Sequence, residues 1–591
     1  MKRLLLLALL IPVRSSVAAE PVPLVTERVS PVRTETRHGD QGPVLFADFG
    51  KDAYGNLEIS FAGKPPEGPV TVCLGEKLNA SGALDRKPPG NVNYLEIPMV
   101  TRPDQRLYRL SIPRKPRHEN PDAIPVIREV GEITPFRYVE ARGGGIDPGK
   151  TSLIQLAVHA PFEESLSSFE SSDPHLDAVW DLCKHTMKAS SAFGVFIDGE
   201  RERIPYEGDA YINQLSFAAC DPDPRLIRAT FDRLMEHPTW PIEWLFHLPM
   251  IAYADYMATG DTTIASRHYD KLKGRIEALA TRPDGLLESG AIVDWPAGER
   301  DGYNGGIPDP TMGNQVGPRI NTVANAFYIH ALGRMAALAR VLGRKGDAES
   351  FDSRATKAAD AFNRVFFDQR TGLYTDGEGS DHSSLHANMF PLAFDLVPAD
   401  RQAKVAAFVK SRGMACSVYG AQYLLEALMK AGMDREAIAL ITSPGLRGWR
   451  HMIDAGSTMT WEAWDSSVKP NLTWNHAWGA SPANILSRYV LGIRPLAPGY
   501  ERVLIAPQPG DLAWVKGRVP TVRGPVEVKV DNGAMFRLQL ALPAAMAGEV
   551  RLPRKKHGVL LLDGKEVASL PGDGKTLATV IPGGNHHLES R

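Results

Sequence analysis

Cysteine is scarce in this chain, and long apolar runs are absent after its first residues. The four cysteines among 591 residues (73, 183, 220 and 416) show no Cys-x-x-Cys spacing. This argues against a zinc site or a disulfide framework and predicts buried, free thiols. No later stretch reaches the roughly 20 apolar residues of a membrane span. Lys and Arg (67) nearly balance Asp and Glu (69), so charge gives no reason to expect a nucleic-acid partner.

The N-terminus has the pattern of a secretory signal. Lys2 and Arg3 precede an apolar run over residues 4–13, and Val17-Ala18-Ala19 supplies small residues for cleavage. The run is too short to cross a bilayer. The sequence therefore predicts a signal peptide at residues 1–19 and a secreted or periplasmic protein without a membrane anchor.

The first part of the mature chain has the residue pattern of β-strands separated by turns. The length predicts about three or four domains, and 46 prolines and 53 glycines indicate many turns. Residues 44–49, 57–61 and 153–158 are short apolar or alternating runs separated by segments rich in Pro and Gly. We predict an N-terminal β-sandwich over residues 20–165.

The pattern then changes to helices and back to strands. Leu176, Trp180, Cys183 and Met187 share one helical face, and residues 323–342 and 351–365 predict a helical hairpin. Helical periodicity continues over residues 166–490, interrupted by long loops. Apolar and polar residues alternate again at 526–530 and 536–542, as in strands with one buried face. This predicts a C-terminal β-sandwich over residues 491–591.

Two loop segments of the helical region concentrate acids and tryptophans. Residues 198–209 hold five acids and two arginines among Gly and Pro, and residues 461–478 hold four of the ten tryptophans. Glycoside cleavage needs one carboxyl that donates a proton and a second, ionised carboxylate. Aromatic faces suit the C–H groups of sugar rings. A solvated acidic loop and core tryptophans explain the same composition, so spacing alone leaves both interpretations open.

The first segment resembles the signature of glycoside hydrolase family 78, the α-L-rhamnosidases, which reads Arg-Asp-Glu-Arg-Leu-Gly-Trp-Thr-Gly-Asp. The matching residues here are 200–209, Glu-Arg-Glu-Arg-Ile-Pro-Tyr-Glu-Gly-Asp. The resemblance implies that Glu202 is the general acid and that Asp209 contacts the sugar. Residues 461–465, Trp-Glu-Ala-Trp-Asp, are similar to the family's Trp-Glu-Arg-Trp-Asp and imply that Glu462 is the general base.

The family resemblance also implies an architecture and a reaction. The fold would be an (α/α)₆ toroid flanked by β-sandwich domains, and the reaction an inverting hydrolysis that needs no cofactor and no metal. Asn475-His476 and Gly479 resemble the family's Asn-His-Tyr-x-x-Gly, with the glycine one position early. Asp198 is the nearest counterpart of another family aspartate. The further predicted substrate contacts are Arg203, Trp240, Trp244, Asp294, Trp295, Trp461, Trp464, Trp474 and His476.

Arg201 is a departure, because the family has aspartate immediately before the acid. A guanidinium there favours the ionised form of its neighbour, the wrong form for a proton donor. One hypothesis is that Arg201 binds an acidic group of the carbohydrate substrate. The other is that it pairs internally with Glu200 or Asp209.

Two alternative functions remain open from the sequence. One is a hydrolase or lyase acting on another sugar, such as a uronic acid, with Tyr206 and Arg203 as the lyase pair. The other is a carbohydrate-binding protein that has lost catalysis.

Overall fold

A computed structural model describes residues 22–39, 42–126, 128–239, 243–304, 320–571 and 574–591. The predicted signal peptide lies outside these residues. In chain order the structure has a β-rich region, a helical region and a second β-rich region. The predicted multidomain class, a helical toroid between β domains, is confirmed. The exact domain boundaries stay a prediction.

The N-terminal region forms an antiparallel eight-stranded sheet built around a 20-residue strand, β3. Its strands are β1 (Val25–Val29), β2 (Arg33–Gly39), β3 (Gly42–Phe61), β4 (Val70–Gly75), β5 (Tyr94–Met99), β6 (Leu107–Arg109), β7 (Thr134–Gly143) and β8 (Thr151–His159). The predicted strands 44–49 and 57–61 are two halves of β3, which shifts register between Asp48 and Ala53. The first half pairs with β2 and the second with β6 and β8.

The central region is helical. After β9 (Ser168–Ser171) come α1 (Pro174–Ala189), α2 (Glu207–Ala218), α3 (Arg225–Glu236), α4 (His247–Thr259), α5 (Thr263–Glu277), α6 (Thr322–Val341), α7 (Lys345–Val365), β10 (Phe367–Asp368), β11 (Leu373–Tyr374), α8 (Leu385–Ala393), α9 (Ala399–Arg412), α10 (Val418–Lys430), α11 (Asp434–Ile441), α12 (Trp449–Asp454) and α13 (Ser481–Ile485). The predicted hairpin is α6 and α7, and the predicted apolar face of α1 is buried. Asp173 caps α1 by accepting from the His175 N–H.

The C-terminal region consists of two packed sheets. Its strands are β12 (Ile493–Pro495), β13 (Arg502–Ile505), β14 (Trp514–Val519), β15 (Val526–Asn532), β16 (Phe536–Leu542), β17 (Ala547–Pro553), β18 (Leu560–Leu562), β19 (Lys565–Val567), β20 (Thr576–Ile581) and β21 (Gly584–Ser590). The predicted pair β15 and β16 is hydrogen-bonded throughout. Strand β9, which precedes the helices, completes the larger sheet beside β14.

The helical and C-terminal regions share one continuous apolar core. The four cysteines are buried and free, as predicted. Within the residues that the structure describes, no helix is both long enough and apolar enough to cross a membrane.

Candidate active site

Two loops of the helical region meet at its loop-rich end. The first runs from Phe196 to Tyr206 between α1 and α2, and the second from Trp461 to His476 between α12 and α13. Both are irregular, as predicted, but α2 already begins at Glu207, so Asp209 lies in its first turn. The structure thus brings together two segments that are more than 250 residues apart.

Asn475 joins the two loops to each other and to the N-terminal sheet. Its side-chain oxygen accepts hydrogen bonds from the Glu200 N–H (2.8 Å) and the Tyr54 hydroxyl (2.9 Å). Its amide nitrogen donates to Glu76 Oε1 at 2.8 Å. A Cβ atom on Gly199 would lie 3.0 Å from the Asn475 side-chain oxygen, and φ there is +108°. Glycine at 199 therefore permits this close contact.

Glu462 is a buried carboxylate held by two cations. Its Oε1 lies 2.9 Å from Arg201 Nη2 and 3.1 Å from Lys469 Nζ, and its side chain is only 3% exposed. Oε2 accepts from the Thr473 N–H at 3.2 Å and from Arg201 Nη1 at 3.4 Å. These contacts fix the position of the carboxylate and place two positive charges beside it.

Glu202 is the more open carboxylate, with a third of its side chain exposed. The Tyr206 hydroxyl donates to its Oε2 at 2.9 Å. Arg201 Nε lies 3.1 Å from Oε1, but the N–H is not aligned for a hydrogen bond. The guanidinium is therefore directed at Glu462 through two nitrogens and only flanks Glu202.

Arg201 fixes how far apart the two glutamates can be. Since Nε and Nη2 of one guanidinium are about 2.3 Å apart, the Oε1 atoms of Glu202 and Glu462 lie no more than about 8.3 Å from each other. Two carboxyl groups within that limit can flank one glycosidic bond, and the limit covers both the roughly 6.5–9.5 Å of inverting enzymes and the roughly 5 Å of retaining ones.

Two further acids lie close to this pair. Asp198 Oδ2 is 3.7 Å from Arg201 Nη2, and Asp198 Oδ1 accepts from the Ile204 N–H at 3.1 Å. Burial, and then the charge of Glu202, raise the pKa of Asp198 well above its usual range. Burial, and then the charge of Glu462, do the same for the pKa of Asp209.

His476 contacts Asp209 with its Nε2 atom 2.9 Å from Oδ1. Burial, and then the Arg201 charge, lower the pKa of His476 well below its usual range, so the imidazole is neutral at pH 7. Its Nδ1 is buried without a hydrogen-bond partner within the described part of the chain. An unpaired buried polar atom at a site of this kind suits a sugar hydroxyl.

The aromatic side chains of the second loop are buried. Trp461 and Trp474 stack with centroids 4.5 Å apart and an interplanar angle of 9°. Trp464 has no exposed surface and donates from Nε1 to the Cys416 carbonyl at 2.7 Å. The prediction that Trp464 stacks on a sugar is therefore not supported, because neither face of its ring is open. Core packing, the other interpretation of these tryptophans, fits it.

Two predicted substrate contacts are committed to the scaffold. Arg203 is 1% exposed and forms ion pairs with Glu200 (3.0 Å) and Glu132 (2.8 Å). Asp294 has no exposed surface and binds His386 Nε2 at 2.7 Å and the Ser417 N–H at 2.9 Å. As placed, both side chains are buried and bonded to protein partners, so their geometry gives no support to the predicted substrate contacts.

These contacts also bear on the alternatives. The structure does not favour the lyase pair of Tyr206 and Arg203, since Arg203 is paired with Glu200 and Glu132, whereas the Tyr206 hydroxyl is bonded to Glu202. Arg201 pairs internally, as the second hypothesis states, but with Glu202, Glu462 and Asp198 rather than with Glu200 or Asp209.

The remaining predicted aromatics have different positions. Trp244 is buried beside Tyr206 and Tyr419, with centroid distances of 6.2 Å and 5.5 Å. Trp295 is only partly buried, and its backbone N–H donates to Asp294. Trp240 lies outside the described residues.

Lys469 and Asn475 were not predicted as site residues. Lys469 is 5% exposed, and burial lowers its pKa although Glu462 opposes that effect. Its only sequence signal is its place seven residues after Glu462 in the tryptophan-rich segment. Asn475 was noted for its family resemblance, but nothing local in the sequence indicates its contacts with Tyr54 and Glu76.

Comparison with known proteins agrees with the fold. Residues 164–490, more than half of the chain, match the bacterial alpha-L-rhamnosidase 6 hairpin glycosidase domain, and residues 492–564 match the bacterial alpha-L-rhamnosidase C-terminal domain. The chain therefore belongs to the six-hairpin glycosidases. Within that class it is a member of the bacterial α-L-rhamnosidase family.

Individual relatives are distant and longer. An alpha-L-rhamnosidase of Formosa agariphila is 25% identical over 58% of this chain and 38% of its own length. One from Alteromonas sp. (strain LOR) is 23% identical over 70% of this chain and 48% of its own length. The chain thus spans less than half of these curated relatives.

Solved structures of rhamnosidases share the fold over most of this chain. The alpha-L-rhamnosidase from Dictyoglumus thermophilum has a TM-score of 0.76 at 18% identity, covering 97% of this chain and 64% of that one. The Streptomyces avermitilis alpha-L-rhamnosidase complexed with L-rhamnose has the same score and identity, covering 97% and 54%.

Proposed function

We propose that this chain hydrolyses the bond to a terminal α-L-rhamnosyl residue with inversion of configuration. The observation that carries the proposal is the convergence of Glu202 and Glu462 on one guanidinium, which keeps a partly exposed and a buried carboxylate within about 8.3 Å of each other. Membership of the family and the L-rhamnose bound to the Streptomyces avermitilis relative support rhamnose as the sugar.

In the proposed reaction Glu202 gives its proton to the leaving oxygen as the C1–O bond breaks. Glu462 takes a proton from the water whose oxygen bonds to C1 from the opposite face. Lys469 and Arg201 hold the Glu462 carboxylate in position for this step. Asp209, His476 and Asp198 lie close to the two glutamates and would bind the sugar hydroxyls.

The internal pairing of Arg201 supports a neutral sugar next to the acid. Its side chain is only 8% exposed and already faces three carboxylates, so a substrate anion would enter a cluster of negative charge. An acidic group further along the substrate would not need Arg201. The predicted signal peptide supports action outside the cytoplasm, on carbohydrate in the periplasm or the medium.

A panel of nitrophenyl glycosides tests the sugar, and NMR of the fresh product tests the stereochemistry. We expect nitrophenol release from the α-L-rhamnoside at least tenfold faster than from the other sugars, with the β-anomer of rhamnose appearing first. Preference for another sugar would overturn the substrate, and the α-anomer would overturn inversion. An ultraviolet-absorbing unsaturated product would indicate a lyase.

A further inference from the structure

A second, positively charged site lies at the opposite end of the helical region from Glu202 and Glu462. A cavity of about 270 Å³ is bordered there by four cations and a single carboxylate. The charged residues are Arg334, Lys430, Arg488, Arg494 and Glu426. A neighbouring cavity of about 300 Å³ shares Arg334, Arg488 and Arg494.

The directions of the helices show where this cavity lies relative to the candidate active site. Asp209 lies in the first turn of α2, and Cys416, whose carbonyl accepts from Trp464 of the second loop, lies just before the start of α10. Lys430 is instead the last residue of α10, and Arg334 lies in the second half of α6. The cavity is thus formed where the helices end.

Two of the four cations have ordinary structural partners. Arg488 Nη2 binds Glu426 Oε1 at 3.0 Å. Lys430 binds Asp395 at 2.8 Å and the Ala393 carbonyl at 2.5 Å, as expected for a cation near a helix C-terminus.

The other two, Arg334 and Arg494, have no carboxylate within ion-pair distance among the described residues. The Arg334 guanidinium lies 4.7 Å from the Tyr253 ring centroid, and its Nε is 3.2 Å from His330 Nε2. The Arg494 guanidinium lies 4.6 Å from the Tyr489 ring centroid. Both arginines are partly buried. A partly buried cation without a paired anion is unfavourable, so an anion from outside would complete the arrangement.

We infer that this cavity binds a small oxyanion with two negative charges, a phosphate or a sulfate, held by Arg334 and Arg494 with Arg488 beside them. The guanidinium groups of Arg334 and Arg494 can each donate two hydrogen bonds to the oxygens of such an ion. Their two positive charges, which no carboxylate of the described residues pairs with, balance its two negative charges. The ion would be free in solution or esterified to a small sugar. The inference is independent of the proposed rhamnosidase activity.

The test is calorimetric titration of the intact chain with inorganic phosphate, sulfate and glucose 6-phosphate in a chloride background of constant ionic strength. We expect saturable binding, with a rise in melting temperature that follows the occupied fraction. Arg334→Gln and Arg494→Gln should each weaken binding about tenfold or more. Arg340→Gln on the same helix α6, an exposed residue paired with Asp352, is the matched control and should change nothing.

Glu426→Gln should change the affinity in the opposite direction. It removes the one carboxylate among the described lining residues of the cavity and should therefore tighten binding. If both arginine variants fail to fold in chloride, the Glu426→Gln variant becomes the test. Tighter oxyanion binding by this variant supports the site, and unchanged binding overturns it. No binding by the wild type, or equal binding by wild type, Arg334→Gln and Arg494→Gln, would also overturn it. If glucose 6-phosphate binds more tightly than inorganic phosphate, the ligand is a phosphate ester of a small sugar. If inorganic phosphate binds more tightly, the ligand is the free ion.

Discussion

Arg201 holds Glu462 by two nitrogens, with Nη2 2.9 Å from Oε1 and Nη1 3.4 Å from Oε2, although 261 positions separate the two residues. Arg201→Met should leave Glu462, Glu202 and Asp198 as neighbouring carboxylates without their shared cation. We expect a loss of about 3 kcal/mol in the free energy of unfolding at pH 7. The loss should shrink toward pH 4, where protonation relieves the repulsion. Urea unfolding at both pH values measures it, and an equal loss at both would contradict this electrostatic role.

The internal pairing of Arg201 also predicts indifference to substrate charge. Wild-type enzyme should hydrolyse matched rhamnosides of a neutral and an acidic sugar at rates within about threefold, since no free guanidinium fork faces the leaving group. Initial rates at two salt concentrations measure this. A clear preference for the acidic substrate that Arg201→Ala abolishes would restore the hypothesis that Arg201 docks a substrate anion.

Asn475 should be a positioning residue for the whole site. Asn475→Ala leaves the Glu200 N–H, the Tyr54 hydroxyl and Glu76 without their shared partner, which should cost about 3 kcal/mol of stability. Turnover should fall roughly 10–100-fold as the loops shift. Asn91→Ala is the control: Asn91 also joins the N-terminal region to the second loop, through the Asn471 carbonyl, but at an exposed contact. Similar effects of both variants would refute the special role of Asn475.

Glu243 should make stability depend on pH near neutrality. Burial raises its pKa to about 7, although the backbone N–H groups of Ile292 and Val293 oppose that effect. A pKa raised on folding gives a contribution that is complete below the unfolded value and lost as pH rises through the folded one. We therefore compare the stability difference between Glu243→Gln and wild type at two pH values. Between pH 4 and a pH above 8, this difference should shift in favour of the variant by up to about 3 kcal/mol. A pH-independent difference in denaturation midpoint would show that the folded pKa is not raised.

Local patterns predicted the elements but not all of the contacts between them. The period-two and helical runs indicated β15, β16, α1, α6 and α7 correctly, because each pattern reflects which face of one element is buried. The long strand β3 was predicted as two strands, since a register shift between Asp48 and Ala53 does not show in residue types.

For the candidate site too, the sequence predicted individual residues better than the contacts between distant segments. Family resemblance selected Glu202, Glu462, Asp209 and His476, which the structure brings together. It also selected Arg203, whose partner Glu132 lies on a distant segment that no local pattern connects to it. Lys469 and the contacts of Asn475 depend on how separate loops pack, and sequence spacing does not encode that packing.

The most direct test of the central claim is the dependence of turnover on the leaving group in wild type, Glu202→Gln and Glu462→Gln. On a natural α-L-rhamnoside both variants should lose about 10²–10⁴-fold in kcat while remaining folded. With a dinitrophenyl leaving group, which needs little protonation, the deficit of Glu202→Gln should largely disappear and that of Glu462→Gln should persist. Near-normal turnover of either variant on the natural substrate, or equal deficits with both leaving groups, would contradict the assignment of Glu202 as acid and Glu462 as base.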